Sequence, residues 1–323
     1  MRIALWDIAG PQKDRLARHL PSSDVFVDIP AAPAAPVTVD VVVASRFGAQ
    51  DNRRANFRLL QVAGAGTDKI DFAALPPEAY ACNAYEHEGP IAEYIMTAIL
   101  DHTTGFTALT RRMPELGWTK AYMTRQAHGE VAGKTIGLVG FGHIGQAVAK
   151  RARAFGMTVM AVTGGRHAAL PEADWFATVD QLGELLQRSD YVVLACPLTE
   201  RTRGLIGNAE LHHMKRSALL VNVARAEVAV EEDLFEGLKS GVIAGAVLDP
   251  WYRYPTSPTD IVEPSRFPFG SLPNVRMTPH AAGWTSEVWD RRVAFFARNI
   301  ERLRAGEPLL NIVHTPSALR ASA

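Results

Sequence analysis

The chain has 323 residues, 47% of them hydrophobic and 21% charged, with 34 Lys plus Arg set against 34 Asp plus Glu. That length fits two domains of about 100–200 residues each, and the composition is that of a globular chain rather than a disordered or fibrous one. A net charge of zero gives no general attraction to nucleic acid or an anionic membrane, so neither is an expected partner and substrate charge must be met locally.

Cys82 and Cys196 lie far apart and outside any Cys/His cluster, which argues against a disulfide framework and against a metal site. The first apolar run ends at Asp7, too early for a signal peptide. No stretch approaches the ~18–20 apolar residues of a membrane span, and the expected location is the cytoplasm.

Taken in order, short apolar runs alternate with helical patterns, which predicts parallel sheet built from βαβ units. A first series has strands at Arg2–Asp7, Val39–Ser45 and Leu59–Val62, with a Pro/Ala-rich connection at Pro30–Pro36, and runs into a helix over Pro90–Thr103. A second series opens at Lys134, with strands at Thr135–Val139, Thr158–Val162, Tyr191–Ala195, Ala218–Asn222, Ala246–Asp249 and Val275–Met277. Helical patterns at Gln146–Phe155 and Glu231–Ser240 lie between them, and Val288–Arg304 reads as a last helix. The apolar tail Pro308–Val313 is expected to return to the first domain. The reading is α/β, with residues 1–103 plus 285–323 in one parallel-sheet domain and 104–284 in another.

Gly140-Phe141-Gly142-His143-Ile144-Gly145 follows directly on a strand and opens a helix. That is the context in which a GxGxxG loop binds a dinucleotide: Gly140 for the tight turn, Gly142 for close approach of the pyrophosphate, Gly145 for helix packing. The phosphates would then meet N–H groups at a helix N-terminus; a merely tight turn is the competing reading. The next strand ends Thr163-Gly164-Gly165-Arg166 without the carboxylate that an NAD-selective site places on the ribose. Thr163 and Arg166 are suited to a 2′-phosphate, so NADP is preferred over NAD, with an exposed solubilising Arg166 as the alternative.

Ala63-Gly64-Ala65-Gly66-Thr67-Asp68, Gly133-Lys134-Thr135-Ile136-Gly137, Pro197-Leu198-Thr199, Asn222-Val223-Ala224-Arg225 and Thr278-Pro279-His280 stand in the order found in one family. With them the chain resembles the D-isomer-specific 2-hydroxyacid dehydrogenases along nearly its whole length. The resemblance implies two Rossmann-like or flavodoxin-like domains with the active site in the cleft between them, commonly in a homodimer. The implied reaction moves hydride between the nucleotide and C2 of a small 2-keto or 2-hydroxy acid, as in a glyoxylate or hydroxypyruvate reductase. Arg225 would hold the carboxylate and carbonyl oxygen, His280 would be the acid/base, and Ala65 and Gly66 would offer backbone N–H groups to the carboxylate. The resemblance also puts Asp249 on the nicotinamide carboxamide and makes His143, Ile144, Pro197, Thr202 and Val223 cofactor contacts. His212 and His213 read as solvated residues, and Glu86-His87-Glu88 as a solvated loop or a reader of a polar substrate tail.

One departure stands out. The family carries a glutamate five residues after the aspartate matched by Asp249, where it charges and orients the histidine. Here Tyr254 stands in that place, and Glu263-Pro264 in a longer loop is the other candidate. Tyr254 has three readings: a substrate contact, a partner of His280, or a wall residue beside Trp251 and Trp284. Without a carboxylate the protonated histidine is less favoured, and reduction is expected to fall away at lower pH than in relatives with the glutamate. A nucleotide-binding sensor or co-repressor with little turnover is the alternative function.

Overall fold

The computed structural model describes residues 1–8, 10–165 and 171–316. By its internal contacts the chain divides into two units, Met1–Glu86 with Thr285–Ala323, and His87–Trp284.

The first unit begins with β1 (Arg2–Leu5), α1 (Gly10–Ala17), β2 (Val25–Phe26), β3 (Val37–Thr38), β4 (Val41–Ala44), β5 (Ala55–Asn56), β6 (Leu59–Val62) and β7 (Tyr80–Cys82). All four residues of β4 and of β6 are buried, as expected of central parallel strands covered on both faces, where apolar runs replace alternation.

The second unit opens with α2 (Glu88–Thr104), α3 (Phe106–Leu116) and α4 (Trp118–Met123). It continues with β8 (Thr135–Val139), α5 (His143–Ala154), β9 (Thr158–Thr163), β10 (Trp175–Thr178), α6 (Leu182–Arg188), β11 (Tyr191–Leu194) and α7 (Asn208–His213). β12 (Leu219–Asn222), α8 (Glu231–Lys239), β13 (Gly245–Leu248) and β14 (Val275–Met277) complete it. The chain then returns to the first unit with α9 (Ser286–Ala305) and β15 (Ile312–His314).

Among the described residues the first sheet has the order β15-β7-β6-β4-β1-β2, parallel except for β15, which runs antiparallel to β7. The return of the chain is fixed by a buried amide pair. Asn299 on α9 donates to Gln61 Oε1 at 2.8 Å and bonds both the N–H and the carbonyl of Leu310. Gln61 in turn donates to the carbonyls of Val62 and Cys82. A buried amide without such partners costs about 1–3 kcal/mol, so the network specifies where α9 and the tail dock.

The second sheet has the order β10-β9-β8-β11-β12-β13-β14, with every pairing parallel. Strand order reverses between β8 and β11, and ligands of such sheets bind outside the carboxyl ends at that reversal. The sequence reading placed the helix 90–103 with the first domain, whereas α2 belongs by its contacts to the second unit. Its apolar stripe of Ile91, Ala92, Ile95, Met96 and Ile99 shares one core with Val148, Ala149 and Ala152 of α5. Among the described residues no helix is long and apolar enough to cross a membrane.

Candidate functional site

The glycine loop Gly140–Gly145, Thr163, Pro197, Val223, Arg225, Asp249 and His280 stand at or just past the carboxyl ends of β8, β9, β11, β12, β13 and β14. After β8, Gly140 has φ 103°, and a Cβ there would sit 2.8 Å from the backbone of Ala195 and Cys196. A Cβ on Gly145 would lie 2.5 Å from the Gly140 carbonyl oxygen, whereas one on Gly142 would meet nothing within 4 Å. Two glycines are therefore demanded by packing and the middle one faces open space, where a pyrophosphate can approach. α5 starts at His143 without a side-chain cap on its N-cap residue Gly142, and Gly142 and His143 are exposed. First-turn N–H groups in that setting suit a dinucleotide phosphate, and these residues fit the cofactor that the loop implies.

After β9, the Thr163 hydroxyl donates to the Gly165 carbonyl at 2.6 Å, so its proton is engaged locally and would have to turn to reach a phosphate. Arg166 lies outside the described residues. After β11, Thr202 Oγ1 donates to the Pro197 carbonyl at 2.6 Å and accepts from the Thr199 N–H at 2.8 Å, which closes the turn. Val223 is buried just past β12.

Arg225 follows two residues later and is half-buried, with Nη1 donating to the Ala224 carbonyl at 2.9 Å. Asp249, 2% exposed at the end of β13, accepts at Oδ1 from the Thr278 hydroxyl (2.6 Å) and the Ala281 N–H (2.8 Å), and at Oδ2 from the Ala282 N–H (3.1 Å). The His280 N–H donates to the Asp249 carbonyl at 2.9 Å, and His280 sits in the left-handed region at φ 56°. Asp249 thus shapes the loop that carries His280, with most of its carboxylate acceptor capacity used there. Strain at a non-glycine residue is sustained only where neighbours fix it, as these bonds do.

Tyr254 is a partner of His280, with Oη 2.8 Å from Nδ1. Oη also accepts from the Trp251 backbone N–H at 3.0 Å, and the Trp251 indole donates to the Thr278 carbonyl at 2.8 Å. Trp251 is buried against Phe269 and so braces both loops. Burial raises the Tyr254 phenol above its ordinary value, opposed by the Trp251 N–H and the Arg225 charge and reinforced by Asp249 and Glu227. Glu263, the other candidate, is an exposed residue of the inserted loop. Sequence reasoning missed Tyr94, whose hydroxyl lies 2.7 Å from Thr278 Oγ1 and extends the Asp249 network onto α2.

In the first unit, the turn after β6 carries Ala65 and Gly66, and the Asn83 side chain donates to the Ala65 carbonyl at 2.9 Å. Glu86 has φ 71°, and its carbonyl accepts from Arg291 on α9 at 2.8 Å. Burial pushes the Cys82 thiol up to about 12 and Cys196 up to about 11, which disfavours thiolate chemistry at neutral pH. Among the described residues no group of three or more His, Cys, Asp or Glu side chains could hold a metal ion.

The model of the D-isomer specific 2-hydroxyacid dehydrogenase, NAD binding domain, matches residues 96–282. The chain is 31% identical over 310 residues to D-3-phosphoglycerate dehydrogenase of Methanocaldococcus jannaschii, covering 95% of this chain and 55% of that one. It therefore spans little more than half the length of that relative. Hydroxypyruvate reductase of Thermotoga maritima is 35% identical over 284 residues, covering 87% of this chain and 85% of that one. Among solved structures, a D-isomer specific 2-hydroxyacid dehydrogenase of Xanthobacter autotrophicus Py2 in complex with NADPH and MES matches with a TM-score of 0.79 at 26% identity, over 97% of this chain and 98% of that one. The chain belongs to the D-isomer specific 2-hydroxyacid dehydrogenase family. It is accordingly an NAD(P)-dependent oxidoreductase of two α/β units.

Proposed function

We propose that the chain reduces C2 of a small 2-keto acid of the glyoxylate or hydroxypyruvate class, giving the D-hydroxy acid where C2 becomes stereogenic, and that it prefers NADPH. The observation that carries this is the placement of Arg225 and the Tyr254–His280 pair at the carboxyl edge of the sheet that bears the Gly140–Gly145 loop. The hydroxypyruvate reductase relative supports the substrate class.

When bound, the dihydronicotinamide supplies the hydride. We assign its pyrophosphate to Gly140, Gly142, His143, Ile144 and Gly145, its 2′-phosphate to Thr163 and Arg166, its carboxamide to the remaining acceptor capacity of Asp249, and further contacts to Pro197, Thr202 and Val223. The Arg225 guanidinium binds the substrate carboxylate and keto oxygen and stabilises negative charge growing on that oxygen. Backbone N–H groups of Ala65 and Gly66 take the carboxylate, and His280 Nε2 supplies the proton. The absence of a carboxylate from Thr163-Gly164-Gly165 supports NADP.

We assign the cytoplasm as location and a second copy of this chain as partner. Phe106, Trp118 and Met123 on α3 and α4 are 69%, 65% and 73% exposed, and neither helix buries a residue in the monomer. Exposed apolar side chains on two successive helices suit an interaction face, and light scattering of the purified chain reads its occupancy.

The test is a panel of 2-keto acids with NADPH and with NADH. Turnover of glyoxylate or hydroxypyruvate, faster with NADPH at equal subsaturating concentration, is expected. Tight NADPH binding without turnover of any keto acid would favour a sensor instead.

A further inference from the structure

Where the family resemblance implies a carboxylate against His280, this chain sets a phenol whose oxygen already has a donor. A backbone N–H can only donate, so the 3.0 Å contact from Trp251 occupies the acceptor side of Tyr254 Oη. The single phenolic hydrogen is then available to His280 Nδ1, 2.8 Å away. A neutral imidazole carries one proton, and if Nδ1 accepts, that proton is on Nε2.

We propose that Tyr254 is a positioning residue that donates to Nδ1 of His280, selects its neutral Nε2–H tautomer, and makes the pair a two-proton relay biased toward reduction. The proposal rests on the keto-acid reading above.

The geometry is preorganised. Tyr254 rides on the loop after β13 and His280 on the loop after β14. Trp251 ties the two through its bonds to Tyr254 and Thr278, and Asp249 ties them through Thr278, Ala281 and Ala282. The charged groups bearing on the phenol are Arg225, which favours phenolate, and Asp249 and Glu227, which disfavour it. Burial outweighs Arg225, so the phenol keeps its proton through neutral and moderately alkaline pH.

The consequences for the two directions differ. In reduction, as charge grows on the C2 oxygen, Nε2 gives its proton to that oxygen and Nδ1 takes the phenol proton. The Tyr254 oxygen keeps the electron pair, stabilised by the Trp251 N–H and the Arg225 charge; water then returns a proton to Nε2 and the Nδ1 proton goes back to the phenolate, which restores the Nε2–H tautomer. Hydride and proton together saturate the C=O bond, and the imidazole begins and ends neutral. Oxidation needs a bare Nε2, hence a proton on Nδ1, and must first expel the phenol hydrogen from that position. A carboxylate at Nδ1 would favour that form and the imidazolium. The sequence alone predicts an early alkaline loss of reduction for a histidine lacking its carboxylate. With a donor in that place, the early loss belongs to Tyr254→Phe instead.

Nitrogen-15 NMR of the chain without cofactor, with the resonance assigned by its loss in His280→Gln, reads the tautomer directly. At pH 8 the wild type is expected to show the Nε2–H form, and Tyr254→Phe to lose the preference. In kinetics with NADPH, wild-type kcat for reduction should stay level from pH 7 to about pH 9, while Tyr254→Phe falls about tenfold per unit above neutrality. Tyr254→Glu should raise the oxidation-to-reduction ratio about tenfold or more. An Nδ1–H or imidazolium signal in the wild type at pH 8, or superimposable pH profiles for wild type and Tyr254→Phe of equal thermal stability, would overturn the relay. Failure of every keto acid to turn over would sink the functional reading, and the NMR spectrum would still decide the tautomer.

Discussion

Asn222 holds the backbone on both sides of Arg225: its Nδ2 donates to the Arg225 carbonyl at 2.9 Å, and its Oδ1 accepts from the Ala224 N–H at 3.0 Å. Asn222 is 1% exposed at the end of β12, so the sheet itself sets the origin of the guanidinium. Arg225→Lys keeps the charge but loses the planar fork that can grip a carboxylate and a carbonyl together. Losing about 3 kcal/mol of charge-assisted bonding corresponds to a roughly 100-fold drop in kcat/KM for the keto acid. Asn222→Ala should cost about tenfold through misplacement alone. Steady-state kinetics beside NADPH fluorescence titration checks both, because the nucleotide Kd should scarcely move in either variant.

Asp249 is expected to matter to stability as well as to rate. Its removal in Asp249→Ala strands the Thr278 hydroxyl and the Ala281 and Ala282 N–H groups, and denaturant unfolding should register a loss of about 3 kcal/mol. Asp249→Asn retains an acceptor oxygen and should lose less. Activity should fall further than stability in both, since the loop carrying His280 is released; an unaltered melting curve for Asp249→Ala would show that the loop holds its shape by other means.

The glycine loop separates folding from binding. Gly140→Ala places a Cβ 2.8 Å from the Ala195 carbonyl at a φ of 103°, and should destabilise the second unit by about 2–4 kcal/mol. Gly142→Ala meets no atom within 4 Å, so the apoprotein should melt as the wild type does. The stabilisation added by NADPH should nevertheless shrink, because the methyl occupies the approach to the pyrophosphate. Thermal melts with and without nucleotide read the two effects separately.

The parts of this molecule that could be read in sequence are those whose pattern is local. β4 and β11 are continuous apolar runs and β6 is one broken only by Gln61, and the strand–glycine–helix order marks β8 and α5 without any tertiary information. β10 escaped because Trp175–Thr178 is a half-buried edge strand, and β7 because three residues between loops carry no period. The packing of α2 with the second unit was hidden for another reason: an apolar stripe does not say which sheet it covers. At the site, the strand-end positions of Arg225 and His280 followed from the order of motifs. The spacing brought Tyr254 to the place of the missing glutamate, but left its partner open. The bonds from Tyr254 and Asp249 to residues 278–282 were not legible, because they exist only once β14 has paired with β13.

Acid should weaken the second unit through Asp190. Burial pushes its carboxyl up, but Lys215 Nζ and the Thr135 N–H, each at 2.8 Å, outweigh it and hold the value below the ordinary carboxylate range. A depressed native value means that this stabilisation is complete above the unfolded value of about 3.9 and is lost as pH falls through the lower native one. Asp190→Asn should be less stable than the wild type at pH 6, with the gap closing below about pH 4. Denaturant midpoints across pH 3–7 would show it, and a gap that stays constant would remove Asp190 from the acid limb.

The central claim, that Arg225 and His280 serve NADPH-linked reduction of a small 2-keto acid, is tested most directly by following NADPH absorbance with glyoxylate and hydroxypyruvate for wild type, Arg225→Gln and His280→Gln. The account predicts turnover by the wild type and losses of about 100-fold or more in each variant, with NADPH binding retained. Wild-type protein that binds NADPH tightly and reduces neither acid, or variants that match it in rate, would contradict it.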